Sequence, residues 1–135
     1  MPRNLYVNLP VKDLERTVGF FAALGFSFNP KFTDENATCM IVNDGTSVML
    51  LVESYFATFT KKPLADAHAV TETLLALSLD SRAEVDDFIA KALAKGAVEY
   101  AEPKDLGFMY QRGIADLDGH QWEVFFMDES QFPGA

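Results

Sequence analysis

Hydrophobic positions along this chain follow the same order twice. Apolar residues alternate with polar ones over 5–11, which predicts a strand, and then recur at helical spacing over 13–24. The order returns with an alternating run at 75–79 and a second stripe at helical spacing over 82–95. A glycine follows each stripe, as is common where a helix ends. The pattern therefore predicts an internal duplication.

Each predicted helix is followed by three predicted strands. They cover 26–32, 37–43 and 46–53 in the first copy, and 97–104, 108–117 and 120–127 in the second. An Asp-Gly turn separates the last two strands of each copy. A strand-helix-strand-strand-strand unit has one apolar sheet face that a second unit can cover. We therefore predict an α+β fold built from two βαβββ modules.

The predicted modules cover about 1–53 and about 72–135 of a single domain, and the linker 54–71 joins them. A connection of this length is uncommon in a compact domain. Its aromatic residues are Tyr55, Phe56 and Phe59. They either fill gaps in the core, or belong to a flap over a ligand site or to an arm that packs on a second subunit.

Composition and charge narrow the classes of partner. The chain has 135 residues, of which 20 are acidic and 11 basic, so its net charge is −9. A negative surface repels phosphate backbones, and we expect no nucleic-acid partner. No apolar run approaches the ~20 residues needed to cross a bilayer, and the N-terminus lacks the layout of a secretion signal, so we expect no membrane partner. The lone Cys39 excludes an internal disulfide, which fits a cytoplasmic localisation.

Three stretches carry a resemblance to a known family: Val7-Asn8-Leu9-Pro10-Val11-Lys12-Asp13-Leu14, Leu75-Ala76-Leu77-Ser78-Leu79-Asp80-Ser81 and Asp116-Leu117-Asp118-Gly119-His120-Gln121-Trp122-Glu123. They resemble the vicinal oxygen chelate superfamily, which includes glyoxalase I, bleomycin resistance proteins and extradiol dioxygenases. The resemblance implies that each module folds as βαβββ and that the two modules face each other as half-barrels around a cleft. It also implies a homodimer, because single-domain members are commonly homodimers.

The resemblance locates four positions at which metal-dependent members hold a divalent ion. In this chain they are Tyr6, Met49, Leu74 and Glu123. Only the glutamate is a good ligand, because Met and Leu offer nothing to a hard or borderline cation and a phenol with a pKa of ~10 is a poor donor at neutral pH. A catalytic zinc site needs three protein ligands. We therefore expect no metal and no cofactor, and neither glyoxalase I nor extradiol dioxygenase chemistry of the usual kind.

Strand pairing predicts which residue accompanies Glu123. If Asp118 and Gly119 form a two-residue hairpin loop, Ile114 lies opposite Glu123 and Arg112 lies diagonally beside it on the same face. An arginine there would replace a lost cation, since an unpaired buried charge is costly. The pair is either a structural ion pair that closes the barrel, or it binds a polar group of a ligand, or Glu123 acts as a base.

If the Asp-Gly pair of the first hairpin also forms a two-residue loop, Met40 lies opposite Met49 and Asn36 lies opposite Glu53. Cys39 then lies on the other face, under a helix. The predicted cleft lining then combines soft apolar side chains with a few polar groups, as small-molecule pockets do. Alternatively, these side chains simply fill the half-barrel. The predicted ligand-binding residues are Tyr6, Asn8, Met40, Met49, Leu51, Glu53, Leu74, Tyr110, Arg112, Glu123 and Phe125.

Several functions remain open on the sequence alone. The first is a metal-independent protein that binds a small organic molecule in the cleft, similar to bleomycin resistance proteins. The second is a metal-independent lyase, isomerase or hydrolase in which Glu123 is the general base, Tyr6 or Tyr110 the acid and Arg112 the stabiliser of an anion. The third is a dimeric ligand sensor or accessory protein. A metal-dependent glyoxalase or dioxygenase is the further alternative.

Overall fold

Each copy of the repeated pattern forms its own sheet and its own long helix in the computed structural model, which describes residues 3–131. The chain divides into two compact units, Met1–Ala65 and Asp66–Ala135. The ends of the predicted modules, 1–2 and 132–135, lie outside the described residues. The predicted α+β fold is confirmed, while the module boundaries and the shared cleft stay predictions. None of the helices described combines the length and the apolar character needed to span a bilayer.

The described part of the first unit contains four strands and two α-helices. They are β1 Leu5–Val11, α1 Leu14–Ala23, β2 Ser27–Asn29, β3 Ala37–Asn43, β4 Thr46–Val52 and α2 Glu53–Phe56. The strand order is β1-β4-β3-β2, with β1 parallel to β4. The carboxylate of Asp13 accepts a hydrogen bond from the N–H of Arg16 at 3.1 Å and so starts α1. Helix α1 packs on β4 and buries Phe20 and Phe21.

The described part of the second unit repeats this plan with one strand more. Its elements are β5 Leu74–Ser78, α3 Arg82–Ala94, β6 Val98–Glu99, β7 Lys104–Asp105, β8 Met109–Ala115 and β9 Gln121–Met127. The strand order is β5-β9-β8-β6, and β7 also pairs with β8. The hydroxyl of Ser81 accepts a hydrogen bond from the N–H of Glu84 at 3.1 Å at the start of α3. Helix α3 packs on β8 and β9, where Ile114, Trp122 and Val124 are buried.

The predicted strand over 97–104 is divided into β6 and β7. Both short strands pair with β8, but their registers differ by two residues. Residues 100–103 accommodate this difference outside the ladder. The interruption matters because it leaves a short loop, beginning at Tyr100, beside the middle of β8.

The segment that joins the two repeats starts with α2, and a 3-10 turn over Ala57–Phe59 follows. The rings of Tyr55 and Phe59 pack edge to face with their centroids 5.1 Å apart. Both side chains are exposed, Phe59 by 67%. For these two rings the predicted core-filling role is therefore wrong, because a core side chain would be buried. A flap or an arm stays a prediction.

The hairpin between β8 and β9 has a three-residue loop, not the predicted two-residue loop. The N–H of Asp116 donates to the carbonyl of His120 at 2.8 Å, and the N–H of Gly119 donates to the carbonyl of Asp116 at 3.0 Å. Gly119 has a φ of 86°, in the left-handed region. A type I turn followed by a left-handed residue is the common three-residue hairpin connection. Its extra residue shifts the register by one, so Glu123 lies opposite Gly113.

The carboxylate of Asp116 holds this loop from inside. It accepts hydrogen bonds from the backbone N–H of Asp118 at 2.9 Å and of His120 at 3.0 Å, and from the indole N–H of Trp122 at 2.9 Å. Asp116 is 6% exposed. A buried carboxylate needs such donors, since leaving it without them would be costly. The Asp-x-Asp-Gly stretch is thus a structural device that fixes the hairpin.

The first hairpin closes at its tip as predicted, because Asn43 pairs with Thr46. Neither Asp44 nor Gly45 has a positive φ, so the turn is not of the mirror-image type that matches the twist of the strands. A bulge between Ile41 and Asn43 lies directly beside it. A bulge increases the local twist and shifts the register of all the remaining pairs by one residue.

Replacing Gly119 by alanine is expected to lower the free energy of unfolding by about 1–3 kcal/mol through the left-handed φ alone. The loss should be larger than that, because the new Cβ would lie 2.6 Å from the backbone nitrogen of His68 and 2.8 Å from the carbonyl carbon of Ala67. Urea unfolding followed by circular dichroism measures the loss.

Two glycines provide matched controls for this substitution. Gly107 has a φ of 82°, and no atom lies within 4 Å of the place that a Cβ would take, so Gly107→Ala reports the backbone strain without the contact. Gly19 lies in α1 with equally free space, and Gly19→Ala should stabilise the protein by about 0.5–1 kcal/mol. A Gly119→Ala protein as stable as the Gly107→Ala protein would contradict the close approach of residues 67 and 68.

Candidate functional site

Glu123 lies on the face of the second sheet that α3 does not cover, here called the uncovered face. Its neighbours in β9, Trp122 and Val124, are buried on the helix side, so the glutamate side chain points the other way. Its register partners are Gly113 in β8 and Ala76 in β5. Glycine has no side chain and alanine only a methyl group, so neither register partner crowds the carboxylate.

The side-chain amide of Gln111 donates a short hydrogen bond to the carboxylate of Glu123. Gln111 lies opposite Phe125, on the same face of the sheet as Glu123. The amide carries no charge, and no ion pair among residues 3–131 includes Glu123. A neutral donor, and not a cation, thus accompanies this carboxylate.

The phenol of Tyr100 lies over Gly113, next to Glu123. A Cβ at position 113 would lie 2.6 Å from the Tyr100 hydroxyl oxygen, so the phenol occupies the space that a side chain there would need. Burial of the phenol, and to a smaller extent the negative charge of Glu123, raises the pKa of Tyr100 above its ordinary value. At neutral pH the hydroxyl is therefore a protonated donor beside a carboxylate acceptor.

These groups border a cavity of about 180 Å³ within the second unit. Its lining joins the β6–β7 loop to the uncovered face of β8 and β9, and it combines apolar surface with charged and hydrogen-bonding groups. The side chains that matter for its chemistry are Leu74, Tyr100, Glu102, Lys104, Gln111 and Glu123. Apolar walls with a few directed polar groups are the usual composition of a small-molecule site.

Arg112 does not pair with Glu123. The one-residue shift in register places Arg112 opposite Val124, on the α3 side of the sheet. There its guanidinium binds Glu99 at 2.8 Å and Asp86 at 2.9 Å. The predicted Arg112–Glu123 pair is therefore wrong, because successive side chains of a strand point to opposite faces.

Tyr110 lies on the same helix side of the sheet. Its hydroxyl donates to Asp86 at 2.6 Å, and Arg82 stacks over its ring at 5.2 Å from the centroid. The hydrogen bond from Tyr110, more than that from Arg112, holds the pKa of Asp86 below its ordinary value. Arg82 also pairs with Asp105 of β7 at 2.8 Å. Tyr110 and Arg112 thus tie α3 to the sheet, and their predicted position beside Glu123 is wrong.

Four predicted residues of the first unit share one face of its sheet. Asn8 pairs with Met49, Pro10 pairs with Leu51, and Tyr6 lies two residues before Asn8 in the same strand. Tyr6 is 52% exposed, whereas Leu51 is buried. Their common face is a structural fact, and their part in ligand binding stays a prediction.

Met40 lies on the opposite face from these four residues. The bulge in β3 places it opposite Val48, and it is fully buried. Met49 instead lies opposite Cys39, so the thiol shares the face from which it was predicted to be absent. Both predicted positions are wrong for one reason: a one-residue slip exchanges the two faces of a strand.

Three further predicted residues are Glu53, which lies just after the end of β4, and Leu74 and Phe125, which lie in the second sheet. Strand β4 ends one residue early, so Glu53 is the exposed first residue of α2 and its predicted pairing with Asn36 is wrong. Leu74 and Phe125 share the face of Glu123 through their register partners in the second sheet. Leu74 is 51% exposed and borders the cavity.

The residues present do not fit a divalent ion. At the positions that the family resemblance implies, the first unit offers the phenol of Tyr6 and the thioether of Met49, and the second offers Leu74 and Glu123. Among residues 3–131 no three His, Cys, Asp or Glu side chains are grouped so that they could hold a metal. A catalytic zinc needs three protein ligands, and Glu123 supplies only one. Neither a thioether nor a hydrocarbon binds a hard cation.

Sequence reasoning missed six residues that border the cavity. Gln111 and Gly113 were missed because of the error in register, and Tyr100, Ala101, Glu102 and Lys104 were missed because the predicted strand is divided. A signal for Gln111 and Gly113 was present, because Asp116 and Gly119 stand at the first and fourth positions of a four-residue stretch, where a type I turn favours Asp and Gly. A signal for the division was also present, because Pro103 lies between β6 and β7 and a proline has no N–H to donate to the ladder.

Comparison with known proteins supports the predicted resemblance. Residues 3–43 match the family described as bleomycin resistance protein-like N-terminal. No curated protein matches the chain. Among solved structures, hypothetical protein SA1046 from S. aureus is 27% identical, with 93% of this chain and 95% of that chain covered and a TM-score of 0.79.

Two further solved structures carry names that describe their fold family. A glyoxalase-related enzyme from Fulvimarina pelagi is 19% identical, with 93% of this chain and 88% of that chain covered and a TM-score of 0.78. A glyoxalase/bleomycin resistance protein/dioxygenase from Nocardioides is 23% identical, with 100% and 89% covered and a TM-score of 0.73. The predicted glyoxalase/bleomycin resistance fold is therefore confirmed.

Arg112→Met is expected to lower the free energy of unfolding by about 1–3 kcal/mol, because it leaves the largely buried carboxylate of Glu99 without its charged partner. The exposed Asp86 contributes less to this loss. Urea unfolding measures it. Lys91→Met, which removes the exposed pair with Asp87, is the matched control and should change stability by less than about 0.5 kcal/mol. Equal losses in the two variants would refute a structural role for the arginine.

Glu123→Gln is expected to lower the pKa of Tyr100 part of the way to its ordinary value, because the charge disappears while the burial remains. Absorbance titration of phenolate measures this, and Tyr100→Phe identifies the transition. Since the native pKa exceeds that of the unfolded chain, the stability that depends on Tyr100 falls as the pH rises from ~10 through the raised value. An unchanged Tyr100 transition in Glu123→Gln would mean that the two groups do not interact.

Proposed function

We propose that the protein is a member of the vicinal oxygen chelate superfamily that binds a small organic molecule in the cavity beside Glu123. Its fold and the match over residues 3–43 support this membership. The proposed binding needs no divalent ion. It uses a site that lies within the second unit, on the uncovered face of its sheet.

One observation supports this proposal above the others: the carboxylate in the cavity has a neutral partner. Gln111 supplies one hydrogen bond to Glu123, which leaves most of the acceptor sites of the carboxylate unused by side chains. A ligand that brings a hydrogen-bond donor or a positive charge would occupy them, and hydrogen bonds to an ionised group are the strong ones. Leu74 and the ring of Tyr100 would contact its apolar part.

The proposed binding requires no metal because of the side chains at the positions that the family resemblance implies for metal ligands. Apart from Glu123, the positions implied by the family resemblance carry a phenol, a thioether and a hydrocarbon. Of these positions, Leu74 borders the cavity together with Glu123, and its hydrocarbon side chain would contact an organic ligand through apolar surface. Recognition by Glu123 therefore replaces coordination as the directed interaction of this site.

A second candidate function is acid–base catalysis, which the position of Tyr100 favours. Its protonated hydroxyl and the carboxylate of Glu123 lie beside each other at the cavity. Glu123 would accept a proton from a bound molecule and Tyr100 would donate one, as in a lyase or isomerase. Tyr100 takes the acid role that sequence reasoning gave to Tyr6 or Tyr110. Binding without turnover would separate the first function from the second.

A thermal-shift screen of the full chain tests the binding function. Small amines, small aromatic and aliphatic acids, thiol conjugates and divalent metals are the classes to compare. A compound at 100 times its Kd stabilises the native state by about 2.7 kcal/mol, which raises the Tm by several degrees in a domain of this size. We expect such a shift for an organic class, and a smaller one in Glu123→Gln.

Glu35→Gln is the matched control, because Glu35 is an exposed acid in the first unit. It should leave every shift unchanged. If no organic class shifts the Tm, or if Glu123→Gln leaves the shifts intact, binding at this cavity is refuted. Stoichiometric nickel, zinc or iron in protein purified without chelator would refute the metal-free part.

A further inference from the structure

The cavity carries opposite charges on two different strands. Glu123 belongs to β9 and Lys104 to β7, and these strands flank β8. Lys104 is the register partner of Gln111, so it shares the face of Gln111 and Glu123. Both charged side chains border the cavity. No ion pair among residues 3–131 includes either of them.

The two charges lie on opposite sides of β8 and form no ion pair with each other. Neighbouring strands lie ~4.8 Å apart, and two residues along a strand span ~6.8 Å, so the Cα atoms of Lys104 and Glu123 are separated by roughly 12 Å. The side chain of Gln111 lies between them and donates to the glutamate. A short molecule with a positive and a negative end would bridge the remaining gap.

Lys104 is the cation of the cavity that is available to a ligand. Arg112 also borders it, but its guanidinium is held by Glu99 and Asp86 on the helix side. A ligand carboxylate would therefore bind Lys104. A ligand ammonium group would bind Glu123.

The size of the cavity limits the ligand further. Its volume of about 180 Å³ is smaller than the ~300–1,000 Å³ of sites that hold drug-sized molecules. Leu74 and the ring of Tyr100 provide an apolar wall for a short hydrocarbon segment. The site thus combines one acidic group, one basic group and a small apolar wall.

We propose that this cavity binds a compact zwitterion of the amino-acid type, with its ammonium group on Glu123 and its carboxylate on Lys104. The proposal rests on the binding function proposed above and adds the ligand class. It requires both charges on one molecule, whereas the binding function alone requires only a donor.

Isothermal titration calorimetry with matched ligands tests this requirement. Leucine is compared with 3-methylbutylamine, which lacks the carboxylate, and with 4-methylpentanoate, which lacks the ammonium group. The wider zwitterion 5-aminopentanoate is compared with pentylamine and pentanoate in the same way. We expect at least one zwitterion to bind about tenfold or more tightly than both of its singly charged analogues, because each charge adds a charge-assisted hydrogen bond.

Two variants test whether Lys104 binds the carboxylate of the ligand and Glu123 binds its ammonium group. Lys104→Met should reduce the affinity for the zwitterion about tenfold and leave the affinity for the amine unchanged. Glu123→Gln should reduce binding of the zwitterion and of the amine. Lys61→Met and Glu35→Gln remove exposed charges elsewhere and should change neither affinity. Lys104 is exposed, so its variant is expected to fold, and circular dichroism verifies this for every variant.

The outcomes separate the ligand class from the binding function. If the amine binds as tightly as the zwitterion and depends on Glu123, the zwitterion proposal is overturned and the binding function stands. The same holds if none of the six probes binds while the thermal-shift screen yields other organic ligands. An unchanged zwitterion affinity in Lys104→Met also overturns the proposal.

Discussion

The left-handed conformation of Gly119 decides which side chains lie beside Glu123. Because Gly119 follows a type I turn, the loop between β8 and β9 contains three residues, and the register of the whole hairpin follows from that number. Side chains alternate between the two faces of a strand, so one residue more or less would exchange the faces of β8. The buried carboxylate of Asp116 fixes the loop with three hydrogen bonds.

This register separates the charged groups of the second unit into two sets. On the helix side, Arg82 and Arg112 bind acidic partners from α3 and from the β6 and β7 strands, and Tyr110 joins the same network. On the uncovered side, Glu123 has a neutral amide and a phenol as neighbours. The arginines thus stabilise the packing of α3, and neither of them pairs with Glu123. Tyr100 can lie next to Glu123 because position 113 is a glycine, whose missing side chain leaves room for the phenol.

Much of the fold could be predicted from the sequence, because periodicity reports secondary structure directly. The alternation over 5–11 and the apolar stripe before Gly25 correspond to β1 and α1, and the second copy repeats them as β5 and α3. The candidate site was less predictable, since it depends on register. Glu123 was identified from the family resemblance, whereas its neighbours Gln111 and Tyr100 were not. Placing them required the loop geometry and the interruption between β6 and β7.

The sequence by itself determined the order of strands and helices and the duplicated βαβββ plan, because these depend on local spacing, which a single chain displays. It also determined that a phenol, a thioether and a hydrocarbon stand at three of the four positions that the family resemblance implies for metal ligands. The tertiary structure decided the partners of Glu123, Arg112, Met40 and Cys39. The physical reason is that a bulge or one additional loop residue costs little locally, yet it transfers every following side chain to the other face of the sheet.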